Sequence, residues 1–173
     1  MNDNAPEVLL ASLANPVLES TPVGTVVGLF NVRDRDSGRN GEVSLDISPD
    51  LPFQIKPSEN HHSLLTSQPL DREATSHYII ELLASDAGSP SLHKHLTIRL
   101  NISDVNDNAP RFNQQLYTAY ILENRPPGSL LCTVAASDPD TGDNARLTYS
   151  IVGNQVQGAP ASSFVYVNPE DGR

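Results

Sequence analysis

The chain has 173 residues, a formal net charge of -10 at pH 7 and 38% apolar residues with no Trp. That allows one ordinary domain or two small ones with thin two-layer cores, and the acidity disfavours nucleic acid and anionic membrane while inviting cations. Fourteen Pro and ten Gly spread along the chain argue against long helices, and the single cysteine, Cys132, excludes an intramolecular disulfide.

From the N-terminus, a first strand is expected near residues 8–10, followed by "GTVVGLFNV", "EVSLDI", "FQIK" and "SLLTSQ". "SHYIIELLASD" is rich in β-formers. "LHKHLTIRLNIS" alternates: Leu92, Leu96, Ile98, Leu100 and Ile102 share one side, and His95, Thr97, Arg99, Asn101 and Ser103 the other. The connectors "DSGRNG", "SPDLP" and "DAGSPS" are turn chemistry. About seven short antiparallel strands read as a β-sandwich, without the Cys pair and buried Trp of an immunoglobulin domain.

The pattern then repeats. "NDNAP" occurs at Asn2 and again at Asn106, 104 positions later. The same offset relates Asp34 and Asp36 to Asp138 and Asp140, Glu19 to Glu123, Gly24 to Gly128, Gly38 to Gly142 and Asn40 to Asn144. A shared register without a gap means tandem copies of a unit of domain size. The second copy carries about four strands, "LYTAYIL", "GSLLCTVAAS", "RLTYSIV" and "SFVYV", and reads as a truncated sandwich with raw edges. Cys132 falls in register with the inward set Leu130, Val134 and Ala136, as a small core residue.

The acidic residues Glu19, Asp34, Asp36, Asp71, Glu73, Asp86, Asp104 and Asp107 lie at strand ends and in connectors rather than inside strands. Glu19, "LDREA" and the exit of the last strand should share one pole, and the next unit's Asp138-Pro139-Asp140 loop should face it. Seven carboxylates would then meet there: Glu19, Asp71, Glu73, Asp104, Asp107, Asp138 and Asp140. Asn106, Asn108 and Asn144 would add further oxygens. So many bare charges would repel or protonate, and a hard divalent cation with six to eight oxygen ligands resolves the conflict. Calcium suits donors from separate flexible segments better than magnesium does, and no Cys or His cluster points to zinc.

Single acidic residues such as Asp46 and Asp50 are simply turn residues. An EF-hand is excluded, because position six from Asp34 is Arg39 and position twelve is Leu45, where Gly and Glu are required. "DSG" with "DTG" could suggest an aspartic protease dyad, but each Asp follows another acid two residues earlier and the chain is too short for such an enzyme. His61, His62, His93 and His95 are read as exposed and uncoordinated.

Taken together, "DVNDNAP", "LDREA", "SDAG", "RDRDSG" with "SDPDTG", and the Glu19 and Glu123 positions resemble the calcium-binding motifs of cadherin repeats. The resemblance covers the whole chain. "TGDNARLTYSI" and "SFVYVNPEDGR" are most similar to clustered protocadherins of the gamma group, around repeats four and five. It implies an all-β fold of tandem seven-stranded Greek-key sandwiches, the second truncated. Residues 1–6 would end a preceding repeat or linker, 7–105 form a complete repeat, 106–110 a calcium-binding linker, and 111–173 the start of a second repeat. It also implies that the chain is part of a longer extracellular protein at the plasma membrane, associated with the membrane only through parts lying outside it.

The implied ligands follow residue by residue. One calcium takes Glu19, Asp71, Glu73 and Asp107. A second shares Glu19, Glu73 and Asp107 and adds Asp104, the Val105 carbonyl and Asp140. A third takes Asn106, the Asn108 carbonyl, Asp138, Asp140 and the Asn144 carbonyl. At the N-terminal pole Asn2, Asn4, Asp34, Asp36, Asn40 and Asp86 match a part-site. The implied function is calcium-dependent adhesion, not catalysis, with homophilic, antiparallel pairing to repeats of the same protein on an apposed cell. A structural spacer is the alternative. Asn101-Ile102-Ser103 is an N-glycosylation sequon on the outward side of its strand.

Overall fold

A computed structural model describes residues 2–58, 61–153, 155–156 and 158–173, and these are built from strands, turns and two short 3₁₀ segments. The chain divides into two compact units, residues 1–105 and 106–173.

The first unit is a sandwich of two four-stranded sheets. β1 (Glu7–Leu13), β3 (Val26–Arg33), β6 (His62–Thr66) and β5 (Phe53–Pro57) form one sheet in that order. β2 (Val17–Leu18), β8 (His93–Ser103), β7 (His77–Asp86) and β4 (Val43–Asp46) form the other. The β7–β8 ladder runs from His77 opposite Asn101 to Ser85 opposite His93. The alternation expected for β8 holds: Ile98, Leu100 and Ile102 are buried, while His95, Thr97, Arg99 and Asn101 are exposed. Phe30, Leu64, Ile80, Leu82 and Leu100 are fully buried and form the centre of one apolar cluster between the sheets. Phe53 and Tyr78 close one side edge-to-face, ring centroids 5.2 Å apart.

One strand departs from the expected antiparallel set. β2 pairs with β8 in parallel, Val17 opposite Ile102 and Leu18 opposite Ser103. Pro16, which lacks an N–H, stands between β1 and β2, so the segment leaves one ladder and enters the other sheet. Asn15 fastens the crossing: its Nδ2 donates to the Arg99 carbonyl (3.0 Å) and its Oδ1 accepts the Asn101 N–H (2.9 Å). This detour carries the next residue, Glu19, to the end of β8, where its N–H donates to the Ser103 carbonyl at 3.0 Å.

The second unit differs from expectation. Among its described residues the regular strands are four two-residue pieces, β9 (Arg111–Phe112), β10 (Ala136–Ser137), β11 (Gln155–Val156) and β12 (Ala159–Pro160). They pair as β9 with β10 and β11 with β12. The anticipated strands at 116–122, 146–152 and 163–167 join no ladder among the described residues. None of the unit's described apolar side chains is buried, and Tyr120 is 91% exposed. Cys132 is half-buried rather than enclosed in a core. Alternation records which side chains share a face; a ladder also needs a neighbouring edge to take up the backbone groups. Local hydrogen bonds give this unit its order. The Tyr117 hydroxyl donates to the Ala135 carbonyl at 2.8 Å and accepts its N–H at 3.1 Å, and the Tyr149 hydroxyl accepts the Ala136 N–H at 2.9 Å.

Candidate metal centres

Glu19 organises the first cluster. It is only 5% exposed, and both its oxygens are used. Oε2 accepts the Arg72 backbone N–H (2.8 Å) and Oε1 that of Val105 (2.7 Å). The segment after Leu70 is shaped by Asp71, whose Oδ1 accepts the Ala74 N–H and whose carbonyl accepts that of Thr75, each at 2.9 Å. This turn presents Arg72 and Glu73. Oxygens of Glu19, Glu73 and Asp104 all lie within 4.8 Å of one another. Arg72 donates from Nε to Asp104 Oδ1 and from Nη2 to Glu73 Oε1. Burial lowers the basicity of this guanidinium, but the two carboxylates outweigh it and hold it more firmly protonated than usual. Asp71 is exposed and serves the turn rather than this trio.

The second cluster, at the other end of the first unit, joins Asn2, Asn4, Asp34, Asp36 and Asp86. Asn2 Nδ2 donates to both oxygens of Asp86 at 3.1 Å. Asp36 Oδ2 accepts the N–H groups of Asp3 (3.2 Å) and Asn4 (3.1 Å), and its Oδ1 accepts Asn4 Nδ2 at 2.8 Å. Asp34 Oδ1 in turn accepts the Asp36 N–H at 2.8 Å. Gly88 leaves room for the Asn2 side-chain amide, which a Cβ at that position would displace. Asn40 lies in the 3₁₀ turn Gly38–Gly41, and its side chain takes part in none of these bonds.

Two buried oxygens of this cluster, Asn2 Oδ1 and Asp34 Oδ2, have no hydrogen-bond partner among the described residues. Buried acceptors without donors are costly, and a hard cation satisfies them. An all-oxygen set of carboxylates and amides fits calcium or magnesium rather than zinc.

The second unit repeats the arrangement 104 positions on. Asp140 Oδ1 accepts Asn108 Nδ2 at 2.8 Å, as Asp36 does from Asn4. Asp138 Oδ1 accepts the Asp140 N–H at 3.0 Å, as Asp34 does from Asp36. Asp107 Oδ1 also accepts from Asn108 Nδ2, at 2.8 Å. Asn106 is exposed, and the Asn144 N–H donates to the Thr141 carbonyl at 3.2 Å. Of the histidines, His93 and His95 are exposed as expected, but His61 and His62 are half-buried. Burial and the charge of His61 hold the His62 imidazole below its usual basicity.

The acidic pole has a definite pH signature. Burial raises the Asp86 carboxyl, but hydrogen bonds from Gly88, Leu92 and Asn2 outweigh it and leave the group below the ordinary 3.8. At Asp36 the side-chain bond from Asn4 is the largest effect, and the group again lies below 3.8. A carboxylate with a depressed folded pKa stabilises the fold above its unfolded value and loses that contribution as pH falls through the folded one. Acid titration in chelator will therefore show stability falling below about pH 4, and Asp86→Asn will flatten that fall in equilibrium denaturation curves. An equally steep fall in the variant would refute this account of Asp86.

The cadherin domain family matches residues 15–103 and 117–173. Protocadherin gamma-C5 of Homo sapiens is 99% identical over 173 residues, covering 100% of this chain and 18% of that protein. The solved structure of protocadherin gamma B2 extracellular cadherin domains 3-6 superposes with TM-score 0.93 at 44% identity, covering 99% of this chain and 41% of that one. The protocadherin gammaB7 EC3-6 cis-dimer structure gives TM-score 0.93 at 47% identity, with the same coverage of 99% and 41%. The chain spans about a fifth of the curated relative's length. No helix among the described residues is long and apolar enough to cross a membrane. The chain belongs to the cadherin family.

Proposed function

We propose that this chain is a stretch of a calcium-dependent adhesive ectodomain, displayed on the outer side of the plasma membrane and located around repeats four and five. The observation that carries the reading is the recurrence of one oxygen cluster at a fixed offset, with two buried oxygens lacking a donor in the first copy. Glu19, Asp71, Glu73, Asp104 and the Val105 carbonyl from the first unit, with Asn106, Asp107, Asn108, Asp138, Asp140 and Asn144 from the second, are the proposed ligands. Asn2, Asn4, Asp34, Asp36, Asn40 and Asp86 are those of the N-terminal part-site. Calcium bound by these groups supplies the positive charge that offsets carboxylate repulsion and ties separate segments together. The protein's own part is to hold the carboxylates in place: Glu19 through two backbone N–H groups, and Asp36 and Asp140 through the amides of Asn4 and Asn108.

The consequence is that calcium will raise the melting temperature, and that Glu73→Ala and Asp107→Ala will each abolish most of that gain while changing the melt in chelator far less. Full retention of the calcium effect in both variants would remove the ligand assignment. Homophilic, antiparallel recognition by repeats of the same protein is the proposed use of the calcium-bound ectodomain. Measurable binding of this chain to an N-terminal repeat of its own protein separates it from a spacer. The gammaB7 relative was solved as a cis-dimer, so lateral pairing of copies belongs in the same binding experiment.

Asn101 is exposed on β8, with its Oδ1 accepting Arg99 Nε at 3.2 Å. We expect a glycan there: the chain secreted from mammalian cells loses mass on peptide-N-glycosidase treatment, and Asn101→Gln does not. Identical masses before and after treatment would show the sequon to be unused.

A further inference from the structure

We propose that Arg72 is a built-in counter-ion that takes the metal's place on the oxygens of Glu73 and Asp104, and so sets the calcium concentration at which the first unit loads. The inference rests on the calcium reading above.

Three observations converge on this side chain. Its backbone is pinned, since its N–H donates to Glu19 Oε2 at 2.8 Å. Its guanidinium bridges the other two acids, Nε to Asp104 Oδ1 and Nη2 to Glu73 Oε1. The side chain is only 12% exposed, so it is held against the cluster rather than waving in solvent. These two acids and Glu19 are the three whose oxygens gather within 4.8 Å. The arginine thus lies between two members of the trio and is fixed through the third.

The physical consequence is competition. A planar guanidinium presents a fork of donors that fits two carboxylates at once, and charge-assisted bonds of this kind are strong. With no metal present, the fork offsets the repulsion between Glu73 and Asp104. A divalent cation draws on the same two carboxylates, and a guanidinium left in contact with them would stand beside like charge. Loading therefore requires the arginine to release both acids. The residue stabilises the metal-free unit and weakens calcium binding by the same interaction, as linkage demands. Truncating it should do the opposite on both counts.

The test uses the full 173-residue chain with Arg72→Gln, Arg72→Lys and Arg99→Gln. Arg99 lies on the exposed face of β8 and controls for the loss of one positive charge. Calcium affinity is read by titration calorimetry, and stability by thermal melting in chelator and in saturating calcium. We expect Arg72→Gln to bind calcium roughly tenfold tighter, about 1.4 kcal/mol, and to melt lower in chelator, with the deficit vanishing in saturating calcium. Arg72→Lys should fall between, because an ammonium cannot bridge two carboxylates as a fork, and Arg99→Gln should match the unaltered chain. An Arg72→Gln chain that is unfolded in chelator and folds on adding calcium supports the proposal. One that is unfolded in both overturns it, since the arginine would then be needed in both states. Unchanged or weaker affinity in Arg72→Gln, while the unaltered chain binds calcium, overturns this inference alone. Absence of binding in the unaltered chain overturns the calcium reading and this inference with it.

Discussion

Phe30→Ala will destabilise the first unit by about 3–5 kcal/mol, the usual cost of emptying a buried aromatic site. Phe30 is fully buried on β3, which is paired on both sides: Phe30 stands opposite Leu10 of β1 and His62 of β6. A strand held on both edges cannot shift to collapse the cavity, which favours the upper part of that range. Stability of a small domain is typically about 5–15 kcal/mol, so this one change removes a large share. Urea denaturation followed by β-sheet circular dichroism checks it. Phe30→Leu, which leaves a smaller void, should recover more than half the loss. A cost under about 1 kcal/mol for Phe30→Ala would mean that the core is not packed around this ring.

Glu19→Ala should cost roughly 2–4 kcal/mol in chelator, through hydrogen bonding rather than packing. The buried carboxylate satisfies the N–H groups of Arg72 and Val105, and its loss leaves both without that acceptor. Each such donor left unsatisfied costs about 1–3 kcal/mol. An opposing effect exists, since removing one acid relieves its repulsion with Glu73 and Asp104. That relief is small, because the Arg72 guanidinium already offsets those two charges. Glu19→Gln keeps a single acceptor oxygen and should show about half the loss. A stabilised Glu19→Ala chain would mean that repulsion, not the hydrogen bonds, dominates this pole.

The strands of the first unit were readable because period-two alternation is dense there: β8 alternates exposed and buried side chains over residues 97–102, as its sequence pattern does. The two-residue β2 was not readable. Val17 and Leu18 are too few to show a period, and their parallel partner lies at Ile102 and Ser103, beyond any local signal. In the second unit the alternation of "LYTAYIL" is real, yet no ladder forms there, because side-chain pattern does not supply a paired edge. The acidic residues were legible from composition and register. The bonds among Asn4, Asp34 and Asp36 recur with the same partners among Asn108, Asp138 and Asp140, 104 positions on. Arg72 was overlooked as the spacer within "LDREA". The available signal was a lone cation between Asp71 and Glu73 in a strongly acidic chain. The half-burial of His62 also went unread, since it follows from strand pairing with Phe30 and Pro57 rather than from its own neighbours.

Calorimetric titration of the unaltered chain with calcium, run beside thermal melting in chelator and in calcium, tests the central claim most directly. The account predicts binding in the micromolar to millimolar range, extracellular modules lying near 10⁻⁴–10⁻³ M, together with a rise in melting temperature that depends on calcium concentration. A chain that shows its folded circular dichroism spectrum, releases or absorbs no heat with calcium and melts at the same temperature in chelator would contradict it.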